Sequence, residues 1–492
     1  MFLKTIALRF FNFLKSTQMQ DLLMKMAGMY CVMLVSLFWQ PALFVLMAFI
    51  VIVIIFEKSI KSLYHIMFLL PFQAVFAIGT NLILFIYIFE FFSIYHFILF
   101  LIKNNKNVFK DKIFILLCVI LGYILIAPIF NGLDYFTHNL ADARAYFLIS
   151  VLFIVYLVYK NHNQLCLKHL VYFLSLGLII SSLIAVFAQF TRIADFVAVG
   201  DNSWNKRFFG LMPVFNNLNV FHMFVLCAIF GLLACVIKKQ INLCQPNTIL
   251  LLIALTVLGL LTASRAFYIS FLLLIITIVI SIFINKASGK EDNKKRQLLV
   301  VGICVLVAVL LSFTHVHYLF SRLGMPNIDS GGVIEHNARL SNIKRLGSPS
   351  NVGTHIYDPG RAGLMLRYLE SWASSFTFAV FGHGFGINFP YPTLSPHNMW
   401  IYLLWCGGLL GFLLIVAFGV MVITGAFKKQ KSKENILVLL MAALCFGALS
   451  LVESMVSNYS FLTMLIVIVL GLTTTAKNQE EQIENTTPEE VS

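Results

Sequence analysis

Runs of roughly 17 to 25 apolar residues recur from about Leu22 to Leu472, each long enough as a helix to cross a hydrocarbon core about 30 Å thick. In lipid every backbone N–H and C=O must be paired within the protein, which leaves helices or a closed β-barrel. The alternation of apolar and polar residues that barrel strands require is absent, so the expectation is a helical bundle. Composition agrees: 60% of the 492 residues are hydrophobic, 11% are charged, and the mean hydropathy is +0.90, outside the range of water-soluble domains.

Reading spans between polar breaks predicts helices over residues 24–38, 41–56, 63–78, 81–102, 112–130, 144–159, 168–190, 213–237, 247–263, 265–285, 298–314, 400–427, 435–453 and 458–473. The short N-terminal runs could merge, which gives about 12–14 spans. The expected fold is therefore an all-α, polytopic transmembrane bundle. It divides into helices over 1–314, one long extramembrane loop over 315–396, C-terminal helices over 397–475 and an acidic tail over 476–492. Residues 1–20 carry Lys4, Arg9 and Lys15 among Phe and Leu without a small-residue cleavage site, the pattern of an interfacial helix rather than a signal peptide.

The net charge of +14 does not point to nucleic acid, because the basic residues sit in short loops between spans. Lys58 and Lys61, Lys103 to Lys112, Lys160 and Lys168, Lys238 and Lys239, Lys286 to Arg296, and Lys428 to Lys433 fill every second loop. Those loops are expected on the cytoplasmic side of a bacterial inner membrane, with both termini inside. On that topology nine of the eleven arginines fall outside, whereas only Lys206 and Lys344 among the lysines do. A guanidinium is a planar fork suited to phosphate or carboxylate, which gives the outer arginines a possible anion-binding role beside the plain reading of tolerated charge.

The long loop is thus expected to be periplasmic, and loops of this length are usually functional or disordered. Ser330 to Gly360 is rich in Gly, Ser, Asn and Pro and reads as irregular. Arg361 to Phe381 has apolar residues at helical spacing, interrupted by Arg361, Arg367 and Glu370, and predicts one amphipathic helix along the membrane face. Gly382-His383-Gly384-Phe385-Gly386 follows; no strand precedes it, so it reads as a tight turn rather than a nucleotide loop. His397-Asn398 then opens the next span.

Together these features resemble the O-antigen ligase and O-antigen polymerase superfamily of lipid-linked glycan transferases. The resemblance rests on Ser264-Arg265 between two spans, an Arg-bearing loop helix ending in Trp (Arg367 to Trp372), the Gly-His-Gly turn, and His397-Asn398 opening a span with Gly407-Gly408 and Gly411. It covers about residues 200–425. What it implies is a GT-C-like bundle that moves a glycan from undecaprenyl diphosphate to a lipid A core sugar at the periplasmic face. The reaction would invert the anomeric centre, with no metal and no cofactor. His397 is then the catalytic residue, Arg265 and Arg367 bind the diphosphate with Arg361 as the alternative loop arginine, and Arg207 adds a contact. Asn398, His383 and Trp372 support the site. The partners implied are the undecaprenyl-diphosphate-linked donor, a lipid A core or nascent glycan acceptor, and membrane lipids.

The chemistry suits these residue types. Arginines can hold and neutralise a diphosphate leaving group without a metal, and an imidazole can take the proton of the attacking hydroxyl or, when protonated, bind phosphate. His315, His317, His336, His355 and His383 share the long loop, but their spacing matches no standard metal motif. Glu90 and Glu453 within spans are functional candidates by default, with pairing to a neighbouring helix as the alternative. Asp134, His138, Asp142 and Arg144 read as a small solvated turn. The sequence places ligation ahead of repeat-unit polymerisation and of protein O-glycosylation. The rival from another class is a transporter, against which stands the lack of an internal repeat.

Overall fold

The structure is a computed structural model that describes residues 35, 42–57, 59–72, 77–78, 82–141, 143–191, 199–202, 205–208, 221–262, 264–284, 297–306, 360–385, 398–429, 432–452 and 459–474. Its helices are α1 (Ala42–Glu57), α2 (Leu63–Leu69), α3 (Leu84–Asn104), α4 (Lys112–Ile126), α5 (Leu133–Ala141), α6 (Ala143–Lys160), α7 (Leu167–Thr191), α8 (Phe221–Ile237), α9 (Pro246–Leu261) and α10 (Arg265–Ile284). They continue with α11 (Gln297–Leu306), α12 (Gly360–Ala373), α13 (Phe376–Phe381), α14 (Met399–Lys429), α15 (Lys433–Val452) and α16 (Tyr459–Thr473). Two short antiparallel hairpins interrupt them, β1 (Ala77–Ile78) with β2 (Leu82–Ile83) and β3 (Val199–Asn202) with β4 (Asn205–Phe208).

Among the described residues five helical stretches are long and apolar enough to cross a membrane: Lys112–Asn131, Leu167–Phe187, Ala266–Phe283, Met399–Lys429 and Lys433–Leu451. Their outward sides carry exposed Ile115, Val119, Ile269, Leu272 and Phe283, side chains that water would penalise and lipid accepts. Helix α8 is buried on nearly every face, as a helix apolar all round must be, and forms the centre on which α7, α9, α15 and α16 pack.

Local chemistry sets the helix ends. Asp111 caps α4, its Oδ1 accepting from the Ile113 N–H at 3.1 Å, and Pro246 opens α9, where a missing N–H costs nothing. Three readings change. Within the predicted span over 63–78 the described helical stretch reaches Phe72, and Ala77–Ile78 pair in the first hairpin instead of extending a helix. The predicted loop helix over 361–381 is two helices, because Ser375 adopts an extended conformation and caps α13 by accepting from the Phe378 N–H at 3.1 Å. Asp134 is exposed as expected but lies in helix α5, packed back on α4 by a hydrogen bond from Asn139 Nδ2 to Ile124 O, rather than in a turn.

The bundle has two distinct ends. At one end Asp111 and Lys160 pair at 2.6 Å, and Lys429 donates to Tyr159 O and lies 4.1 Å from the centre of the Tyr159 ring. The short link from α14 to α15 keeps Lys433 at this end, and Lys238, donating to Asn435 Oδ1, brings the α8–α9 turn there too. Helix α9 then carries the chain across, so Arg265 begins α10 at the opposite end. That is also the end where α15 finishes and α14 starts, since Asn398 Nδ2 donates to Leu451 O at 3.2 Å and Trp400 Nε1 to Ser450 Oγ at 3.0 Å.

Candidate functional site

Helix α14 organises the site. As a straight helix its 31 residues would span about 46 Å, but it breaks at Gly408, whose φ of 59° and ψ of −174° are not helical. A side chain at this position would be strained, and its Cβ would lie 2.3 Å from Val380 O. Such a break removes carbonyls from the ladder, and each must find another donor. Trp405 O accepts from the His383 N–H at 3.0 Å and Cys406 O from the Gly384 N–H at 2.8 Å, so the Gly-His-Gly turn plugs directly into the break. Gly407 O accepts from the Tyr123 hydroxyl at 2.5 Å, and the same hydroxyl lies 3.0 Å from Phe381 O.

The turn is held from the other side as well. Asn131 Nδ2 donates to Gly382 O, and Phe130 stacks on Phe381 with ring centres 4.2 Å apart. The His383 ring lies between Phe378 at 3.9 Å and Trp405 at 4.5 Å, both nearly parallel to it, with its Nε2 3.3 Å from Ser371 Oγ. Trp405 Nε1 donates to the same Ser371 oxygen at 3.2 Å, and Tyr368, fully buried, meets the Trp405 ring edge-on at 5.4 Å. Burial pushes the His383 imidazole down to about 4, against the opposing pull of the Ser371 carbonyl. It is therefore uncharged at neutral pH and sealed from solvent, a packing element rather than a phosphate ligand.

The residues singled out in the sequence divide accordingly. Arg367 lies on α12, half-buried and next to Tyr368, and so rides on the helix clamped to the mouth of α14. Arg361 opens the same helix, Arg265 is the first residue of α10, and Arg207 lies on β4 opposite Gly200; for these three the backbone alone is described. Six positions along a helix turn by about 600°, so Arg361 and Arg367 do not share a face. His397 lies outside the described residues, as do Glu453, Gly386, His315, His317, His336 and His355; its neighbour Asn398 begins α14. Asn398 Oδ1 accepts from the Trp400 and Ile401 N–H groups, both at 3.0 Å, while its Nδ2 holds Leu451 O. Both ends of the amide are engaged in capping α14 and tying it to α15.

Trp372 joins α12 to α13, its Nε1 donating to Ala379 O at 3.0 Å. Ser264 accepts from the Phe267 N–H at 3.4 Å, fixing the first turn of α10 behind Arg265. Among the described residues no three His, Cys, Asp or Glu side chains converge on one point. Glu90 is half-buried within α3, and Glu57 pairs instead with His65 at 2.9 Å.

Tyr123, Asn131, Ser371 and Trp405 were not legible as site residues. A Tyr within an apolar run looks like filler, and its partners lie more than 250 positions away. The one sequence signal was the Gly407-Gly408…Gly411 cluster, too dense for an undisturbed helix interior. Comparisons with protein-family models, curated proteins and solved structures find no match to this chain.

Proposed function

We propose that the chain is a metal-independent, inverting glycan transferase of the O-antigen ligase type. It takes a glycan from undecaprenyl diphosphate and attaches it to an acceptor hydroxyl, a lipid A core sugar, at the periplasmic face of the bacterial inner membrane. The observation that carries this reading is the convergence at one end of the bundle. The start of α10 at Arg265, the Arg367-bearing helix clamped by the Gly-His-Gly turn, and the Asn398 cap next to His397 all lie at the end opposite Lys160, Lys238 and Lys429. Lysines gather on the cytoplasmic side of membrane proteins, which supports reading the arginine end as the outer one.

On this reading Arg265 and Arg367 grip the diphosphate at the membrane surface and stabilise the charge that grows as the glycosidic bond breaks. His397, at the mouth of α14, takes the proton of the attacking hydroxyl. Asn398 supports it by fixing the first turn of α14. His383 and Trp372 support it by fixing the loop helices.

One observation favours transport instead, since broken helices are common in transporters. Here, however, the break in α14 is filled by backbone amides and a phenol, with no carboxylate, imidazole or ammonium group among its hydrogen-bonding partners in the described residues. The separating experiment incubates purified protein with polyprenyl-diphosphate-linked glycan and lipid A core, with chelator present. The reading predicts core-linked glycan that disappears in His397→Ala at unchanged protein abundance. Undiminished transfer by that variant removes His397 from the mechanism, and uptake of solute without transfer supports the transporter.

A further inference from the structure

The first half of the chain carries no motif of the proposed family, yet it supplies the group that completes the break in α14. Tyr123 extends from α4 to the break: its hydroxyl gives its one proton to Gly407 O at 2.5 Å, and its ring edge lies against Gly411. A phenol oxygen thus stands where the direct bond from Gly411 to Gly407 would be in an unbroken helix. Gly411 is the residue this insertion demands, since a Cβ there would sit 2.5 Å from the edge of the Tyr123 ring. The same hydroxyl lies 3.0 Å from Phe381 O at the end of α13. Five residues past α4, Asn131 holds Gly382 O, so α4 and the turn that ends it contact both strands of the clasp.

We propose that Tyr123 is a positioning residue for the transfer reaction, inserted as a wedge that keeps α14 broken and so holds the Arg367 helix in register with the start of α14 at Asn398. The chain of contact is continuous. Tyr123 holds the break; the break receives the His383 and Gly384 amides; His383 stacks on Trp405 and meets Ser371, and Ser371 and Tyr368 flank Arg367 on α12. Removing the hydroxyl alone frees Gly407 O to accept from the Gly411 N–H four residues on, which closes the ladder and straightens the helix. Straightening would withdraw the acceptors Trp405 O and Cys406 O from the turn.

This inference rests on the transferase reading for its kinetic arm only. The test compares Tyr123→Phe with the parent chain in lipid nanodiscs by amide hydrogen exchange and by transfer kinetics. Faster exchange is expected at residues 382–385 and through α12, together with slower exchange at Gly411. The kcat for transfer should fall about ten- to a hundredfold with donor KM unchanged, the signature of misplaced groups rather than lost binding. Gly411→Ala, which displaces the ring instead of the hydroxyl, should reproduce the exchange pattern. Unchanged exchange in α12 overturns the proposal whether or not the chain transfers glycans, and so does altered exchange with unaltered kcat. Absence of transfer by the parent chain defeats the transferase reading alone.

Discussion

Arg367 and His383 are joined through one clasp, yet they relate to charge in opposite ways. His383 is 6% exposed, lies between two aromatic rings and is uncharged at neutral pH. Its folded pKa of about 4 lies below the ordinary histidine value near 6.5, so between those limits the unfolded chain binds a proton that the native one does not. Its contribution to stability is therefore complete above about pH 6.5 and falls as the pH drops toward 4, by on the order of 2–3 kcal/mol. Thermal midpoints in detergent at pH 7.5 and pH 4.5 check this: the parent should lose more than His383→Phe, and equal losses would remove His383 as the source. Arg367 is a proposed ligand, where a fork of donors matters more than charge alone. Arg367→Lys is expected to cut transfer roughly 10- to 100-fold, the equivalent of about 1.5–3 kcal/mol for a charged hydrogen-bonded pair. Arg361→Lys should cost less, because Arg361 lies on a different face of α12; the reverse order would make Arg361 the loop arginine.

At the scale of elements, the break in α14 fixes the geometry of the end where α14 starts. Gly408→Ala must place a side chain at a φ of 59° and against Val380 O, so it should destabilise the protein by about 2 kcal/mol or more. A lowered unfolding midpoint together with faster exchange at residues 382–385 would bear this out, and an unchanged midpoint would not. Run length alone located α1, α4, α6, α7, α9, α10, α14, α15 and α16 to within a few residues, because lipid permits little besides a helix over such a stretch. The division of the loop helix at Ser374-Ser375 was not visible, since its apolar spacing continues across the gap and only the Ser375 cap interrupts it. Gly382-His383-Gly384 was legible as a turn. Its insertion into a helix break was not, because backbone donors leave no mark on side-chain pattern.

For the whole molecule, sidedness links fold to function. Among the described residues, Lys160, Lys238, Lys429 and Lys433 lie at one end of the bundle, and the helices that bear Arg265 and Arg367 meet the other. Loop charges predict a sorting of cations between the two sides, and the Lys238 to Asn435 contact brings the α8–α9 turn to the start of α15. A cysteine placed at exposed Ser374 should react with a membrane-impermeant maleimide added to intact spheroplasts, whereas one at exposed Lys428 should react only after lysis. The opposite pattern would invert the topology and move the arginine end to the cytoplasm. The most direct test of the central claim is transfer itself, with the purified chain in liposomes given undecaprenyl-diphosphate-linked glycan and lipid A core under chelation. The account predicts core-linked glycan from the parent chain and none from His397→Ala folded to the same extent; a parent chain that leaves the lipid-linked donor intact would contradict it.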